Sequence, residues 1–180
     1  GLLQKKSLLK TAGVIVGTAA HGLGFFEEQH SLFMEKGYKG ISPHSCTGTF
    51  VGMLSSEISM YFGCHGMTLV VSTGCTSAHD SIEYAFRQIQ SGQSKLVITG
   101  GGESCITPLV LGSFSKMGAL AKKWNDVPKR APRPFDKHRD GFVIGEGAWI
   151  IVLENLEHAK KRKAPNYAEV SGYGATSDAY

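Results

Sequence analysis

Long apolar runs are missing from this sequence, although 42% of its 180 residues are hydrophobic. A helix needs about 20 consecutive apolar residues to cross a bilayer, so neither a membrane span nor a membrane partner is expected. The basic stretch from Gly1 to Lys10 lacks the apolar core and cleavage site of a secretory signal peptide. We therefore predict a cytoplasmic protein, with enough chain for one compact domain and a real core.

Cysteine is sparse, with four residues spread along the chain and no C-x-x-C pair among them. This spacing lacks the ligand pattern of zinc ribbons and related sites, so no metal site is predicted. Because there is no secretory signal, a reducing compartment and free thiols are expected.

Neither sign of charge dominates, since 19 lysines and arginines stand against 15 aspartates and glutamates, for a net charge of +4. Nucleic-acid-binding domains usually carry a more basic stripe with aromatic residues between the charges. Nucleic acid is therefore not expected as a partner. A mild positive charge does suit an acidic protein partner.

What the sequence does contain is a regular alternation of strand-like and helix-like segments. Apolar runs predict strands over residues 12–18, 68–72, 96–99 and 148–153, and the start of another over 167–174. Helical patterns are predicted over residues 25–36, 47–62, 108–117 and 154–163, and from Cys75 to Ser91-Gly92. In the 47–62 helix, Phe50, Leu54, Ile58 and Tyr61 would share one face. Such alternation is typical of an α/β layered fold with a mostly parallel sheet.

The chain is organised around the segment from Val70 to Asp80, where a β-rich run passes into a helical pattern. Gly74 at the corner permits a tight turn, which places Cys75 at the first turn of the helix. Free backbone N–H groups and the positive end of the helix dipole favour a thiolate there. An inert buried cysteine is the competing interpretation, because free cysteine is among the most buried residue types.

Several short motifs, in a fixed order over nearly the whole chain, resemble those of the β-ketoacyl synthases, the condensing enzymes of fatty acid and polyketide synthesis. They are Thr73-Gly-Cys-Thr-Ser-Ala-His79, Met117-Gly-Ala-Leu120, Arg133-Pro-Phe-Asp136, Arg139-Asp-Gly-Phe-Val-Ile-Gly-Glu-Gly147 and Gly172-Tyr-Gly-Ala-Thr-Ser-Asp178. The order and context of these motifs make the resemblance highly specific.

The resemblance implies a thiolase-like layered αβαβα fold built from two similar halves. Residues 1–166 would be the N-terminal half, incomplete at its start, and residues 167–180 the first strand of the C-terminal half. The family's two catalytic histidines follow this region, and none of the seven histidines here matches their motifs. The chain, which does not begin with Met, is therefore expected to be an internal piece of a longer synthase.

The resemblance also implies an acyltransferase that needs no cofactor of its own, with substrates carried on the phosphopantetheine arm of acyl carrier protein. Cys75 would accept the acyl group, and malonyl carrier protein, after losing CO₂, would attack the thioester. Phe114 and Thr76 would contact the substrate. Lys122 and Lys123 fall where the family places basic residues that meet the carrier protein.

Four charged residues around the Arg-Pro-Phe-Asp motif are expected to be structural rather than catalytic. Asp136, Arg139, Asp140 and Glu146 would form a buried network, because buried charges need mutual pairing. The family uses this block as scaffold.

Assembly is expected through the strand at residues 68–72. Leu69, Val70 and Val71 follow one another without polar alternation, which predicts a strand buried on both faces. Related synthases join the equivalent strands across a twofold axis, so a homodimer or a pair with a homologous subunit is expected.

Two alternatives stay open. The Thr73-Gly-Cys-Thr-Ser77 string resembles aromatic polyketide synthases, whereas Met117-Gly-Ala-Leu120 resembles fatty acid synthases. The second alternative is a non-catalytic subunit that binds carrier protein or acts as a chain-length factor. Such subunits generally lack the cysteine, so Cys75 argues against it.

Overall fold

The computed structural model describes residues 6–179. Its strands are β1 (Gly13–Gly17), β2 (Thr68–Val71), β3 (Leu96–Glu103) and β4 (Gly147–Glu154). Its α-helices are α1 (Lys6–Lys10), α2 (Leu23–Lys36), α3 (Met53–Phe62), α4 (Ser77–Gln90), α5 (Pro108–Lys116) and α6 (Leu156–Lys161). Short 3₁₀ turns cover Gly37–Gly40, Thr47–Thr49, Gly74–Thr76 and Pro128–Arg130. Ala20–Phe50 and Glu103–Gly147 form a second compact unit, and the remaining described residues form the first.

The strands make one sheet in the order β2-β1-β3-β4. The central strand β1 is parallel to both of its neighbours, with Val16 opposite Val70 on one side and Gly100 on the other. This confirms the predicted parallel sheet. All five residues of β1 are buried, because strands flank β1 on both sides and helices cover both of its faces.

Two apolar clusters lie on the two faces of the sheet. Val14 and Val16 belong to one cluster, against which Leu54 and Ile58 of α3 pack. Ile15, between them in sequence, belongs to the other cluster together with Ala85 of α4. Because successive side chains in a strand point to opposite faces, β1 is the middle of a helix–sheet–helix sandwich.

The predicted helix over residues 47–62 is wrong in its first third. The α-helix begins only at Met53, after a 3₁₀ turn at Thr47–Thr49 and an extended Phe50. The Thr49 hydroxyl donates to the Cys46 carbonyl at 2.7 Å, a local bond that competes with helix formation. Phe50 and Tyr61 are accordingly exposed rather than part of one buried face.

The strand predicted to end at Thr99 continues through three glycines to Glu103. Gly100 adopts a φ of +130°, and a Cβ there would lie 2.2 Å from the Trp149 carbonyl oxygen. The glycines therefore let β3 approach its neighbour closely, as their clustering predicts.

The strand predicted to start at Tyr167 is absent from the described residues, where 164–179 have no regular secondary structure. Tyr167 is exposed. A strand requires hydrogen-bond partners on a neighbouring strand, and the described sheet pairs none of its strands with this segment. The division into residues 1–166 and 167–180 stays a prediction.

Candidate active site

Cys75 lies in the 3₁₀ turn Gly74–Thr76, which runs directly into α4. Gly74 has a φ of +69°, a left-handed conformation that favours glycine, as the sequence predicts for this corner. The structure thus places Cys75 two residues before the α-helix instead of within its first turn. Cys75 is exposed, so the interpretation as a buried cysteine is wrong, and its role as the nucleophile stays a prediction.

The first turn of α4 rests directly on the backbone of β1 and β3. A Cβ at Gly17 would lie 2.2 Å from the carbonyl carbon and oxygen of Ser77, and a Cβ at Gly101 would lie 2.7 Å from the Cβ of Ala78. Gly17 and Gly101 are themselves partners in the sheet register. Because β1 ends at Gly17, Cys75 is held at the carboxyl ends of parallel strands, where ligands usually bind in such sheets.

Ser77 fixes the inner side of the turn. Its hydroxyl accepts from the Thr73 N–H at 2.9 Å and donates to the Gly74 carbonyl at 2.6 Å. Ser77 is buried, so these bonds are shielded from water. The turn around Cys75 is therefore closed by a side chain that also begins α4.

Asp80 holds the outer side of the same turn. Its Oδ2 accepts from the hydroxyls of Thr73 and Thr76, the latter at 2.9 Å, and its Oδ1 accepts from the Tyr173 hydroxyl. These donors lower the pKa of Asp80, the Thr73 hydroxyl most of all, and Asp80 in turn raises the pKa of Tyr173. The carboxylate is consequently ionised across the neutral range.

Sequence reasoning missed Ser77, Asp80 and Tyr173 as members of this site. A usable signal was an acidic residue in the first turn of the helix, where the dipole favours it, with hydroxyl residues on both sides of Cys75. Tyr173 lies 93 residues from Asp80, and local patterns give no sign of such a contact.

The other thiols sit in different surroundings. Cys46 is exposed and Cys64 is buried. Burial raises the pKa of the Cys64 thiol. Burial also raises the pKa of Cys105, and the carboxylates of Glu103 and Glu146 add to that effect.

The two predicted substrate contacts fall in different units. Thr76 adjoins Cys75 in the first unit, and its hydroxyl lies 2.9 Å from Asp80 Oδ2 and 3.2 Å from the Thr73 carbonyl oxygen. Phe114 belongs to α5 in the second unit, where it is half-buried. Its ring meets Phe142 edge to face, with centroids 6.3 Å apart.

Lys122 and Lys123 lie in an exposed loop that Asp140 organises. The backbone N–H groups of both lysines donate to Asp140 Oδ2, at 2.6 and 2.7 Å, and the Lys123 ammonium is 3.4 Å from Oδ1. The N–H of Lys123, followed by that of Lys122, lowers the pKa of Asp140. Both lysine side chains thereby remain at the surface on a fixed backbone.

Around this loop the second unit forms a basic cleft of about 350 Å³, whose lining residues are Lys123, Trp124, Arg130, Arg133, Lys137, His138 and Arg139. The guanidinium carbons of Arg130 and Arg133 lie 4.8 and 4.0 Å from the centroid of the Trp124 ring. Residues 121–140 carry seven lysines and arginines against three aspartates. That excess of +4 equals the net charge of the whole chain, so the rest of the sequence is neutral.

The predicted buried network of four charges is corrected by the structure. Asp136, Arg139 and Glu146 are exposed, and Asp140 is half-buried. Because water reaches these groups, they do not require one another as partners. Arg139 donates to the Asp136 carbonyl oxygen at 3.1 Å, while the carboxylates serve separate loops.

Each of these carboxylates instead accepts from backbone N–H groups. Asp136 accepts from the His138 N–H at 2.7 Å and lies 4.0 Å from Arg133. The N–H of His138 lowers the pKa of Asp136 most. Glu146 accepts from the Ile106 N–H at 2.7 Å and from the Ser104 hydroxyl at 3.2 Å. These hydrogen bonds hold the loops around Asp136 and Glu146 in place.

Within residues 6–179, no three side chains of the metal-ligating types His, Cys, Asp and Glu come together as a cation site. The same residues include no helix with both the length and the apolar character needed to cross a membrane.

Comparison with known sequences identifies a matching domain family and several similar proteins. The domain described as "Beta-ketoacyl synthase, N-terminal domain" matches residues 1–159. The 3-oxoacyl-[acyl-carrier-protein] synthase 2 of Vibrio harveyi is 42% identical over 168 residues, covering 93% of this chain and 40% of its own length. A putative polyketide beta-ketoacyl synthase 1 of Streptomyces cyaneus is 38% identical over 173 residues, covering 93% of this chain and 41% of its own. The chain thus spans about 40% of these relatives.

Among solved structures, a similar chain comes from a type II polyketide acyl carrier protein in complex with its ketosynthase, which is bound to the hexaketide. The TM-score is 0.88 at 29% identity, and the match covers 96% of this chain and 43% of the other. The similarity confirms the predicted thiolase-like layered fold.

Proposed function

The chain belongs to the β-ketoacyl synthase family, and from this premise we propose that its protein is a β-ketoacyl-acyl-carrier-protein synthase. The reaction is the decarboxylative condensation of an acyl group, held on Cys75, with malonyl carrier protein. It belongs to fatty acid or polyketide biosynthesis, and the relatives include proteins named for both.

The observation that carries this proposal is the placement of Cys75. The thiol is exposed on a tight turn, at the carboxyl ends of β1 and β3, and immediately before the N-terminus of α4. A cysteine with only a structural role would have no need of an exposed side chain. The turn that presents Cys75 is held by hydrogen bonds to the side chains of Ser77 and Asp80.

Two transfers use the same sulfur. In the first, the Cys75 thiolate attacks the acyl thioester of the carrier protein, so that a Cys75 thioester forms and the phosphopantetheine arm of the carrier leaves as a thiolate. In the second, malonyl carrier protein loses CO₂, and its carbanion attacks the Cys75 thioester. The new C–C bond then replaces the C–S bond, and the Cys75 thiolate is released. Splitting the condensation in this way replaces one difficult step by two easier ones.

Other residues have proposed supporting roles. The two histidines that stabilise charge on the malonyl thioester carbonyl are expected after this region in sequence. Thr76 and Phe114 are proposed to contact the acyl group. No cofactor is proposed beyond the phosphopantetheine arm of the carrier. We also propose that residues 1–166 belong to the N-terminal half of the fold and residues 167–180 to the start of the C-terminal half. The proposed location is cytoplasmic.

Acyl carrier protein is the proposed partner of Lys122, Lys123 and the basic cleft. The whole net positive charge of the chain is concentrated there, and an acidic partner is steered by such a surface. The lysine backbone is anchored to Asp140, so the charges are presented on a fixed loop.

A dimer, with a second copy or a homologous subunit, is proposed to form along β2. This strand is at the edge of the sheet, and Leu69 and Val70 are only half-buried. An edge strand without charge or proline leaves backbone groups unpaired. A twofold contact would pair the same groups of both copies.

A non-catalytic carrier-binding subunit is the alternative, and a single experiment separates it from the enzyme. The full-length protein is incubated with octanoyl carrier protein and analysed by intact-protein mass spectrometry. We expect the wild-type protein and Cys46→Ala, the matched exposed cysteine, to gain the octanoyl mass, and Cys75→Ala to gain none. Binding of the carrier without any acylation of the wild-type protein would favour the non-catalytic subunit.

A further inference from the structure

Asp80 lies five residues after Cys75, in the first turn of α4. Both of its carboxylate oxygens are occupied by side-chain hydroxyls and not by backbone N–H groups of the helix. Oδ2 accepts from Thr73 and Thr76, and Oδ1 accepts from Tyr173. An acidic residue that served only the helix dipole would have no need of three hydroxyl partners.

Two of these partners stand on either side of Cys75 in sequence. Thr73 precedes the turn and Thr76 ends it, so one carboxylate ties the two ends of the Gly74–Thr76 turn together. Ser77 closes the same turn from the buried side. Cys75 is therefore the exposed tip of a loop clamped from both sides.

The third partner comes from a distant part of the chain. Tyr173 is in the stretch after α6 that has no regular secondary structure, and it is 37% exposed. Its hydroxyl bond to Asp80 connects that stretch to the turn of Cys75. The hydrogen bonds of Thr73, Tyr173 and Thr76 lower the pKa of Asp80, so the clamp persists at neutral pH.

We propose that Asp80 is a positioning residue for Cys75, which holds the turn in the geometry that acyl transfer requires and fixes Tyr173 to it. This inference rests on the proposed function of Cys75. Asp80 neither takes a proton nor contacts the acyl group. It acts through Thr73 and Thr76, because a displacement of about 1 Å in a reacting group can slow a reaction by about a hundredfold.

The clamp gives the proposal a distinctive signature. Asp80 acts on the turn of Cys75 and not on the basic cleft that is proposed to bind the carrier, so its loss should lower the rate constant of transfer and leave the half-saturating carrier concentration unchanged. Other charged groups around Asp80 are His79, beside it, and Glu83, which faces Tyr173.

The test compares Asp80→Asn and Thr73→Val with the wild-type full-length protein. Two quantities are measured: the rate constant of octanoyl transfer from carrier protein to Cys75 at saturating carrier, and the carrier concentration that gives half of the maximal rate. For Asp80→Asn we expect transfer about tenfold slower or worse, at an unchanged half-saturating carrier concentration. For Thr73→Val we expect slower transfer, again at an unchanged half-saturating concentration, because the turn is disturbed and the carrier-binding surface is not. Asp178→Asn, an exposed aspartate in the segment of Tyr173, should match the wild-type protein.

The outcomes are distinguishable from failure of the proposed function. If the wild-type protein gains no octanoyl group, the function of Cys75 is wrong. If it is acylated and both variants are acylated at the wild-type rate, Asp80 is not a positioning residue. If Asp80→Asn does not fold, Thr73→Val alone decides, and a wild-type transfer rate in that variant overturns the proposal. Tyr173→Phe keeps both threonine bonds, so its transfer rate should lie between those of the wild-type protein and Asp80→Asn.

Discussion

The four cysteines show at the scale of single residues how surroundings decide chemistry. Cys75 is exposed on the turn before α4, Cys46 is exposed in the second unit, and Cys64 is buried. The raised pKa values of Cys64 and Cys105 mean that less of either thiol is ionised at a given pH. Because only the thiolate reacts quickly, the surroundings of each cysteine, and not the residue type, decide which of the four thiols reacts first.

We expect iodoacetamide at pH 7 to label Cys75 first and Cys64 last. Cys105 should be slow at pH 7 and gain rate as the pH rises, because its raised pKa leaves it protonated at neutrality. Peptide mass spectrometry after timed quenching gives each rate, and unfolded protein, in which the four thiols are equivalent, is the control. Faster labelling of Cys46 than of Cys75 would contradict the assignment of the reactive thiol.

At the scale of elements, the position of α4 depends on glycines in the strands beneath it. Gly17 in β1 and Gly101 in β3 have no side chain where Ser77 and Ala78 lie. Burial of Ala85 and packing of Ile89 then fix the rest of the helix on the sheet. The contact between α4 and these glycines therefore fixes the position of the Cys75 turn.

Gly17→Ala should therefore damage both stability and acylation. Its Cβ would lie 2.2 Å from the backbone of Ser77, so the helix must shift, at a cost of about 1–3 kcal/mol in the free energy of unfolding. Urea denaturation and octanoyl transfer to Cys75 measure the two effects. Gly112→Ala is the matched control, because nothing lies within 4 Å of its new Cβ in α5 and alanine favours a helix. Equal behaviour of the two variants would refute the role of Gly17.

Local elements of this fold are predictable from sequence, and the reasons are local. Apolar runs bounded by glycine placed β1, β2 and β4, and the Gly74 turn followed from the same reasoning. The helix start at Met53 was missed because Thr49 bonds to the backbone of Cys46 and outweighs the apolar period. Long-range facts escaped sequence reasoning, namely the Tyr173 contact with Asp80 and the exposure of Asp136 and Glu146, since tertiary packing decides them.

At the scale of the whole molecule, β2 is an edge strand of the sheet that residues 6–179 form. Val70 packs against the cluster of Val14 and Val16, so changing it would disturb the core as well as an interface. Thr68, in the same strand, is exposed. A change at Thr68 therefore probes the edge without removing apolar contacts.

Thr68→Lys is expected to convert a dimer into monomers. In a twofold contact along β2, the two added charges face each other near the axis, and like charges on paired strands are destabilising. Light scattering of the full-length protein measures the mass, and Thr47→Lys, an exposed threonine of the second unit, is the control. A Thr68→Lys protein that stays dimeric would place the interface elsewhere.

The central position of β1 also delays its pairing during synthesis, because both of its partner strands lie later in the chain. Val16 pairs with Val70, and Gly17 pairs with Gly101, so the five buried residues of β1 must wait for partners far along the chain. At a translation rate of about 5–20 residues per second, the 84 residues from Gly17 to Gly101 take about 4–17 s to emerge. Through that interval β1, whose five residues are all buried in the folded protein, lacks its β3 partner in the nascent chain, and this strand is where we expect ribosome-associated chaperones to bind.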